Sequence, residues 1–461
     1  MTQQDTFGTM LPKMATVSPG PKSKEYAERL IKVESPAASP IKKGEVPIFW
    51  EETRGANIKD VDGNIYVDMI AGFCVAATGH SNPRIAEAIY AQSKKLLHTQ
   101  GTANPSLIRL QLLEKLAQVA PGRLGRSHVV SGGAEAIETC YKTARLYTGR
   151  PGFLAFHGAF HGKTGSALSL TARDYYRRPF LPLIPGIVHA PFANCYRCPI
   201  GHEYPGCDLA CAKYVEFIVN NPDSGAPDFA GMIMEPIQGH GGWVIPPKEW
   251  LHEMRRICNE NGILLLFDEI ITGFGRTGSW FASQTFDVIP DIMAVGKSMA
   301  SGFPISAMIT TPEIAEKWGS AQHSSTFVGH PVGSAAALAS IADLEEKRLV
   351  ERSRELGAYF KDALQQMQKG HPLMGDVRGV GMMVAVEMVM DRKTKAPAPD
   401  AAHHILDKCH NRGVFVNNLG GTFHNVFKLT PPLVITQEQL DFALKVFDET
   451  VGAVEEEMSV R

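Results

Sequence analysis

Five short strings in this 461-residue chain end in residues that could do chemistry together. HVV is followed by Ser131-Gly132-Gly133-Ala134 and a helical pattern, and FLAFH by Gly158-Ala159-Phe160-His161-Gly162. GMIM runs into Glu235-Pro236-Ile237-Gln238-Gly239-His240, ILLLF into Asp268-Glu269, and DIMAVG into Lys297. A glycine turn that opens a helix leaves backbone N–H groups free to hold a phosphate. An aromatic ring offers a stacking face, a carboxylate favours a protonated ring nitrogen, and a lysine supplies a primary amine. Each feature alone has an ordinary reading as a turn, a core ring, a helix cap or a solvated lysine. Together they match the needs of pyridoxal 5′-phosphate: an amine to hold it covalently, a carboxylate at its pyridinium nitrogen, and a phosphate seat. The Ser131–Ala134 turn, Phe160, Glu235, Asp268 and Lys297 are therefore the candidate cofactor residues, with Lys297 and Asp268 the candidate catalytic pair.

These residues share a crevice only if the strings are neighbouring strands of one open sheet, because such sheets bind ligands outside the carboxyl ends of their strands. The pattern agrees. Strands are predicted at 128–131, 153–157, 231–236, 262–269, 291–297 and 304–310, with helices over Ala134–Tyr147 and Lys248–Glu260 between them. Several of the strands are apolar on both faces, as in a parallel sheet covered on both sides by helices. Residues 1 to about 50, rich in Pro and Lys, read as an extended arm with one short helix near Lys24–Val33. ANIKDVDGNIYVDMIAG reads as a hairpin turning at Asp62-Gly63. A long helical run is expected from Ser334 to Lys369, then a single strand through DVRGVGMMVAVEMV. The expected fold is α/β: a large domain with a mostly parallel sheet sandwiched by helices (residues 76–333), and a smaller α+β domain. The small domain would combine the N-terminal arm and hairpin (1–75) with the C-terminal part (334–461).

Composition narrows the function. With 46 Lys+Arg against 48 Asp+Glu, the formal charge of −2 supplies no global field for nucleic acid or an anionic membrane. Uncharged apolar runs are short, Ile263–Phe267 being five residues, against the ~20 of a membrane helix. MTQQDTFGTMLPK lacks a basic start followed by an apolar stretch, so no signal peptide is expected and the base-rate location is cytoplasmic. Gly273-Phe274-Gly275-Arg276-Thr277-Gly278 fits a dinucleotide fingerprint formally, but Asp268-Glu269-Ile270-Ile271-Thr272 stands between it and the ILLLF run, and Ser279-Trp280-Phe281 is a poor helix start. No Walker loop is present, and the strand and glycines around His157 and His161 argue against a helical metal pair. No catalytic metal is expected. Cys195, Cys198, Cys207 and Cys211 crowd into NCYRCPIGHEYPGCDLAC, where structural zinc, disulfides and reduced thiols are all open.

DEIITGFGRTG, then MAVGKSMASGFPISAMI, then STFVGHPVGSAAALA resemble, in that order and spacing, the class III (omega) aminotransferases, pyridoxal-phosphate enzymes of fold type I. The likeness runs from about Val46 to about Val451. It implies that Lys297 holds the cofactor and shuttles the proton between the substrate α-carbon and cofactor C4′, and that Asp268 pairs with the pyridinium nitrogen. Gly133 and Ala134 would bind phosphate through backbone N–H groups, and Phe160 would stack on the ring. Thr326 would reach the phosphate of the neighbouring subunit, so the resemblance also implies a homodimer with shared active sites, or a dimer of such dimers. Its ligands would be a small amine or amino acid and a keto acid, with no nucleic acid or membrane partner.

Departures from the family pattern bear on substrate. Where the 4-aminobutyrate and ornithine enzymes place a Glu in the string reading EPIQGHGG, this chain has His240. The carboxylate-binding Arg positions are Lys428, in NVFKLTPPL, and Lys163. The position three after the Asp, Gln in many relatives, is Ile271. Arg forms a two-pronged fork to a carboxylate and Lys does not, so tight two-ended recognition of 2-oxoglutarate is not expected. GFGRTG and GHPV resemble pyruvate-dependent relatives that accept ω-amines, which implies pyruvate as the favoured acceptor. HPLMGDVRGVGMMVAVEMV, DRKTKAPAPDAA and FKLTPPLVIT also resemble a group of amino-acid racemases and epimerases in the same family. Those use a second acid–base group, an Asp in the EPIQ string, where His240 stands here; they stack a Tyr in place of Phe160. Transamination is the leading expectation. Racemisation or epimerisation through Lys297 and His240 is the alternative.

Overall fold

The computed structural model describes residues 7–38, 46–416 and 419–460. Its centre is a seven-stranded sheet built from β1 (Arg126–Val130), β2 (Gly152–Phe156), β3 (Ile187–Ala190), β4 (Phe229–Met234), β5 (Leu264–Asp268), β6 (Ile292–Val295) and β7 (Ser306–Thr310). The order is β1-β7-β6-β5-β4-β2-β3. All pairings among β3, β2, β4, β5 and β6 are parallel, while β7 runs antiparallel to both β1 and β6. Every residue of β2, β4, β5, β6 and β7 is buried, which is why these strands read as continuous apolar runs. The sequence did not reveal β3. It is a four-residue edge strand, only partly buried except at Ala190, and His189 interrupts its apolar signal.

Helices Gly133–Thr148 and Lys248–Asn261 fall within a residue or two of expectation, each closed by a left-handed glycine, Gly149 and Gly262. The second buries Trp250 against Phe156 and Phe192, with ring centroids 5.2 and 4.8 Å apart. The N-terminal helix runs Pro21–Leu30, three residues earlier than expected. The reason is a cap supplied from outside the segment: Asp62 in the hairpin turn accepts from the Lys22 and Ser23 N–H groups at 2.7 and 3.0 Å.

Two further sheets flank the central one. The expected hairpin is present as Asn57–Asp60 and Ile65–Asp68, extended on one side by Trp50–Arg54 and on the other by the distant Val414–Phe415, which pairs in parallel. The single strand expected through DVRGVGMMVAVEMV is instead a hairpin, Met374–Val380 and Met383–Asp391, turning at Gly381 with φ +56°. A Cβ on Gly381 would lie 2.5 Å from the Thr277 carbonyl carbon. The GFGRTG string is thus the surface on which this hairpin turns. Its fully buried Arg276 donates to the Pro431 and Met382 carbonyls at 2.6 and 3.3 Å. The long helical run also divides, into Pro331–Glu346 and Leu349–Gly370, where Arg348 adopts φ +49°. The charged run Glu345-Glu346-Lys347-Arg348 spans that break. Among the described residues no helix is long and apolar enough to cross a membrane.

Candidate active site

Four adjacent strands, β6, β5, β4 and β2, end in Lys297, Asp268, Glu235 and the Gly158–Gly162 turn. All four ends lie at the same edge of the sheet, because the strands are mutually parallel. Glu235 is buried and anchors two turns at once: its Oε2 accepts from the Phe160 N–H at 3.1 Å and its Oε1 from the Gly239 N–H at 2.9 Å. Gln238 ties the same loops by donating to the His157 carbonyl at 2.8 Å. A Cβ at Gly158 (φ +80°) would stand 2.8 Å from the Gln238 Oε1, so the turn needs glycine there.

Both oxygens of buried Asp268 accept a hydrogen bond, Oδ2 from His161 Nδ1 at 2.8 Å and Oδ1 from the Ile270 N–H at 3.1 Å. His161 is buried, and its Nε2 has no hydrogen-bond partner among the described residues. Burial opposes its protonation, but the Asp268 hydrogen bond and the charges of Asp268 and Glu235 outweigh this, and its pKa is raised. Burial, with Asp268 nearby, pushes the Glu235 carboxyl up to about 7, against the opposing pull of His161 and two N–H donors. Lys297 sits in the left-handed region at φ +44°, an uncommon conformation for a non-glycine residue and one that clusters at functional sites. The turn is held by the Met299 N–H to the Gly296 carbonyl at 2.9 Å, and a Cβ on Gly296 would meet Ser306 Oγ at 2.5 Å. Burial lowers the Lys297 pKa, against the counter-pull of Cys74, Asp268 and Glu235.

At the end of β1, helix Gly133–Thr148 begins with Gly132 as cap, and Glu135 accepts from the Ser131 and Gly132 N–H groups at 2.9 and 3.2 Å. Gly133 and Ala134 are the first residues of the helix, whose N–H groups have no intrahelical partner. A Cβ on Gly133 would come 3.0 Å from Ile270 Cδ1, two residues beyond Asp268. This start of a helix, the Asp268 carboxylate, the Phe160 ring and the Lys297 amine fit pyridoxal phosphate in donor set and placement. Thr326 is exposed in the loop ahead of the helix Pro331–Glu346.

The three candidate substrate residues converge. The His240 ring lies 5.5 Å from Phe160 and 5.7 Å from Tyr176, and Lys163 Nζ stands 4.5 Å above the Tyr176 ring. Lys428 is buried with its Nζ 5.2 Å from the Trp243 ring; burial, with Lys297 and Arg173 near, lowers its pKa to about 8. Burial and the surrounding charges of Arg173, Lys428, His424 and Lys163 push His240 down to about 3, so its imidazole is neutral at ordinary pH. Sequence reasoning missed three neighbours: His161 as the partner of Asp268, Cys74 beside Lys297 and Lys428, and Arg173, which binds His240. His161 stood in the quoted GAFHG string; Cys74 and Arg173 had no motif to mark them.

The four clustered cysteines line a small cavity with His202 and Tyr204, apart from all of these candidates. They are free thiols, and burial together with the neighbouring Cys211, Cys207 and Cys198 raises the Cys195 thiol to about 11. Among the described residues no group of three or more His, Cys, Asp or Glu is disposed to hold a metal ion.

A fold with parallel strands ending in this constellation is that of a pyridoxal-phosphate enzyme of fold type I. The family model "Aminotransferase class-III" matches residues 38–451. The chain belongs to the class III aminotransferases, and its cofactor is pyridoxal 5′-phosphate. It is 38% identical over 420 residues to an isoleucine 2-epimerase of Lentilactobacillus buchneri, covering 88% of this chain and 90% of that one. It is 35% identical over 445 residues to a 4-aminobutyrate aminotransferase of Mycobacterium leprae, covering 95% and 98%. The crystal structure of the omega transaminase from Pseudomonas jessenii in complex with PMP superposes with a TM-score of 0.86 at 27% identity, covering 94% of this chain and 99% of that one.

The buried glutamate supports a pH prediction. Glu235 has a native pKa of about 7 against an ordinary 4.5, so between those values the native state binds a proton that the unfolded state lacks. Stability from this group therefore falls as pH rises through that window, at about 1.4 kcal/mol per pH unit and about 3 kcal/mol at most. In apoprotein, Glu235→Gln is expected to remove that fall. Urea denaturation midpoints of the two proteins should diverge between pH 4.5 and 7 in the variant's favour; parallel curves would refute the shift.

Proposed function

We propose that the protein is a transaminase that moves an amino group from an amino acid or amine to a keto acid, with pyruvate favoured over 2-oxoglutarate. The observation that carries this reading is the alignment of Lys297, Asp268, Glu235 and Phe160 at the ends of four adjacent strands. Bound pyridoxal phosphate supplies the electron sink that makes the substrate α-proton removable. Lys297 would hold the cofactor through its amine and, once that amine is free, would serve as the base and acid that moves the substrate α-proton. Its lowered pKa favours the neutral amine that this work needs. Asp268, oriented by His161 and the Ile270 N–H, would pair with the pyridinium nitrogen. The Gly133 and Ala134 N–H groups hold phosphate, with Thr326 serving the phosphate of a partner subunit in a cytoplasmic homodimer. Glu235 keeps the Phe160 turn in place, so that the ring stacks on the cofactor. Residues 76–333 form the cofactor domain, and 1–75 with 334–461 the smaller one. The parallel pairing of Val414–Phe415 with the N-terminal hairpin supports that division.

The relation to an isoleucine 2-epimerase supports a second reading, racemisation or epimerisation at the α-carbon. That reaction needs a proton donor and acceptor on each face of the planar carbanion. His240 is the candidate opposite Lys297. An imidazole whose pKa is pushed to about 3, and whose Nε2 already meets Arg173, is a weak proton acceptor, which favours transamination.

Holoenzyme mixed with L-alanine, β-alanine, 4-aminobutyrate or a hydrophobic L-amino acid, with no keto acid present, tests both. Transamination predicts one equivalent of carbonyl product per site and complete loss of the cofactor's visible absorbance. Persistent absorbance with many turnovers of inverted amino acid would establish the second reading and make His240 the second base.

A further inference from the structure

Arg173 lies outside every string that pointed to function, yet its guanidinium reaches the cluster around Phe160. Its backbone is fixed there: the Ala172 N–H donates to the Ala159 carbonyl at 3.0 Å, and Thr171 Oγ1 accepts from the His161 N–H at 2.9 Å while donating to the Gly162 carbonyl at 3.0 Å. From this anchor Arg173 donates to His240 Nε2 through one terminal nitrogen and to His424 Nε2, at 2.8 Å, through the other. His240 in turn packs 5.5 Å from the Phe160 ring.

The charge around this point does not balance. Arg173, Lys163 and Lys428 are the cations that bear on His240, and among the described residues none forms an ion pair with a carboxylate. Their contacts are imidazoles and aromatic faces. His240, an imidazole neutral at ordinary pH, accepts a hydrogen bond from the guanidinium without cancelling its charge, and with one further N–H spent on His424 three of its five N–H donors remain for an anion. A glutamate in place of His240 would have neutralised Arg173; histidine leaves it charged and held in position.

Resting on the amino-transfer reading above, we propose that Arg173 is the residue that selects a carboxylate-bearing substrate, its guanidinium held by His240 and His424 to receive the α-carboxylate of an amino acid or of pyruvate. The site then takes amino and keto acids in preference to simple amines. With one guanidinium and two single-point ammonium groups, it recognises one carboxylate by a fork and leaves a second without one.

The other anion that could fill this place is the cofactor phosphate, so the test separates the two. Arg173→Met removes the charge and keeps most of the length; Arg173→Lys keeps a charge and loses the fork. In holoenzyme, kcat/KM is measured for L-alanine and ethylamine, and for L-leucine and 3-methylbutylamine, the second of each pair lacking only the carboxyl group. The preference for acid over amine should collapse about 30- to 100-fold in Arg173→Met, the size of a lost charge-assisted contact, chiefly through KM. Arg173→Lys should recover only part of it. Binding of propionate to holoenzyme by calorimetry should weaken in the same order, and this readout stands even if neither substrate reacts, an outcome that would sink the transaminase reading alone. An equal loss for acid and amine, unchanged propionate binding, or a fall in pyridoxal phosphate affinity as the main effect would each overturn the assignment.

Discussion

Lys297→Ala is expected to abolish the visible absorbance of the enzyme-bound cofactor and to lower turnover by at least ~10⁴-fold. On the proposed assignment two functions go together: covalent retention of pyridoxal phosphate, and the amine that moves the proton at the substrate α-carbon. The protein should still fold. The left-handed backbone at φ +44° is set by Gly296, Ser306 and the Met299 hydrogen bond, not by the lysine side chain. Unchanged far-ultraviolet circular dichroism with lost visible absorbance is thus the anticipated pair of results. Lys297→Arg should fail as well, because a guanidinium stays protonated and cannot take up the proton. A small primary amine added to Lys297→Ala should return a fraction of the rate by replacing the missing base. Retained visible absorbance in Lys297→Ala would place the cofactor link elsewhere and undo the site.

Asp268→Asn should bind cofactor and lose about 10²–10³-fold in kcat, the usual scale for removing one aimed electrostatic group. The amide has nearly the shape of the carboxylate, so the Ile270 N–H can keep its acceptor while the charge at the pyridinium nitrogen disappears. The second consequence concerns His161, which is protonated more readily in the native protein than in the unfolded chain because of Asp268. A histidine with a raised native pKa adds stability that is fully present below its unfolded value of about 6.5 and is lost as pH rises through the native value. In Asp268→Asn that acid-side contribution should vanish. Apoprotein of the variant should therefore lose more stability at pH 5.5 than at pH 8, read as the difference in denaturation midpoint from the parent protein. Near-normal kcat would remove Asp268 from the reaction, and an equal stability loss at both pH values would remove the His161 coupling.

Lys297, Asp268 and Glu235 were legible because each ends an apolar run. The buried strands β4, β5 and β6 carry no polar residue until their carboxyl ends, so the first polar side chain after each run stands where an open α/β sheet binds its ligand. The same logic located the Phe160 turn and the Gly133 helix start. It failed at β3, where an edge position relaxed the demand for apolar residues, and at Gly381, where the chain turns back inside an apolar pattern. It also failed for the N-terminal helix, whose cap is Asp62, some 40 positions away.

The residue order alone determined six of the seven central strands, the family and the cofactor, since these follow from local patterns: runs, turns and the residue next to each. Only the tertiary structure decided what surrounds the reacting groups. His161 meets Asp268 across 107 positions, and Arg173 meets His240 across 67 and His424 across 251. Such pairs have no period and no spacing rule. They exist because the parallel strands bring the loops at their carboxyl ends together and the turn before Val426–Leu429, from a separate antiparallel sheet, reaches the same place.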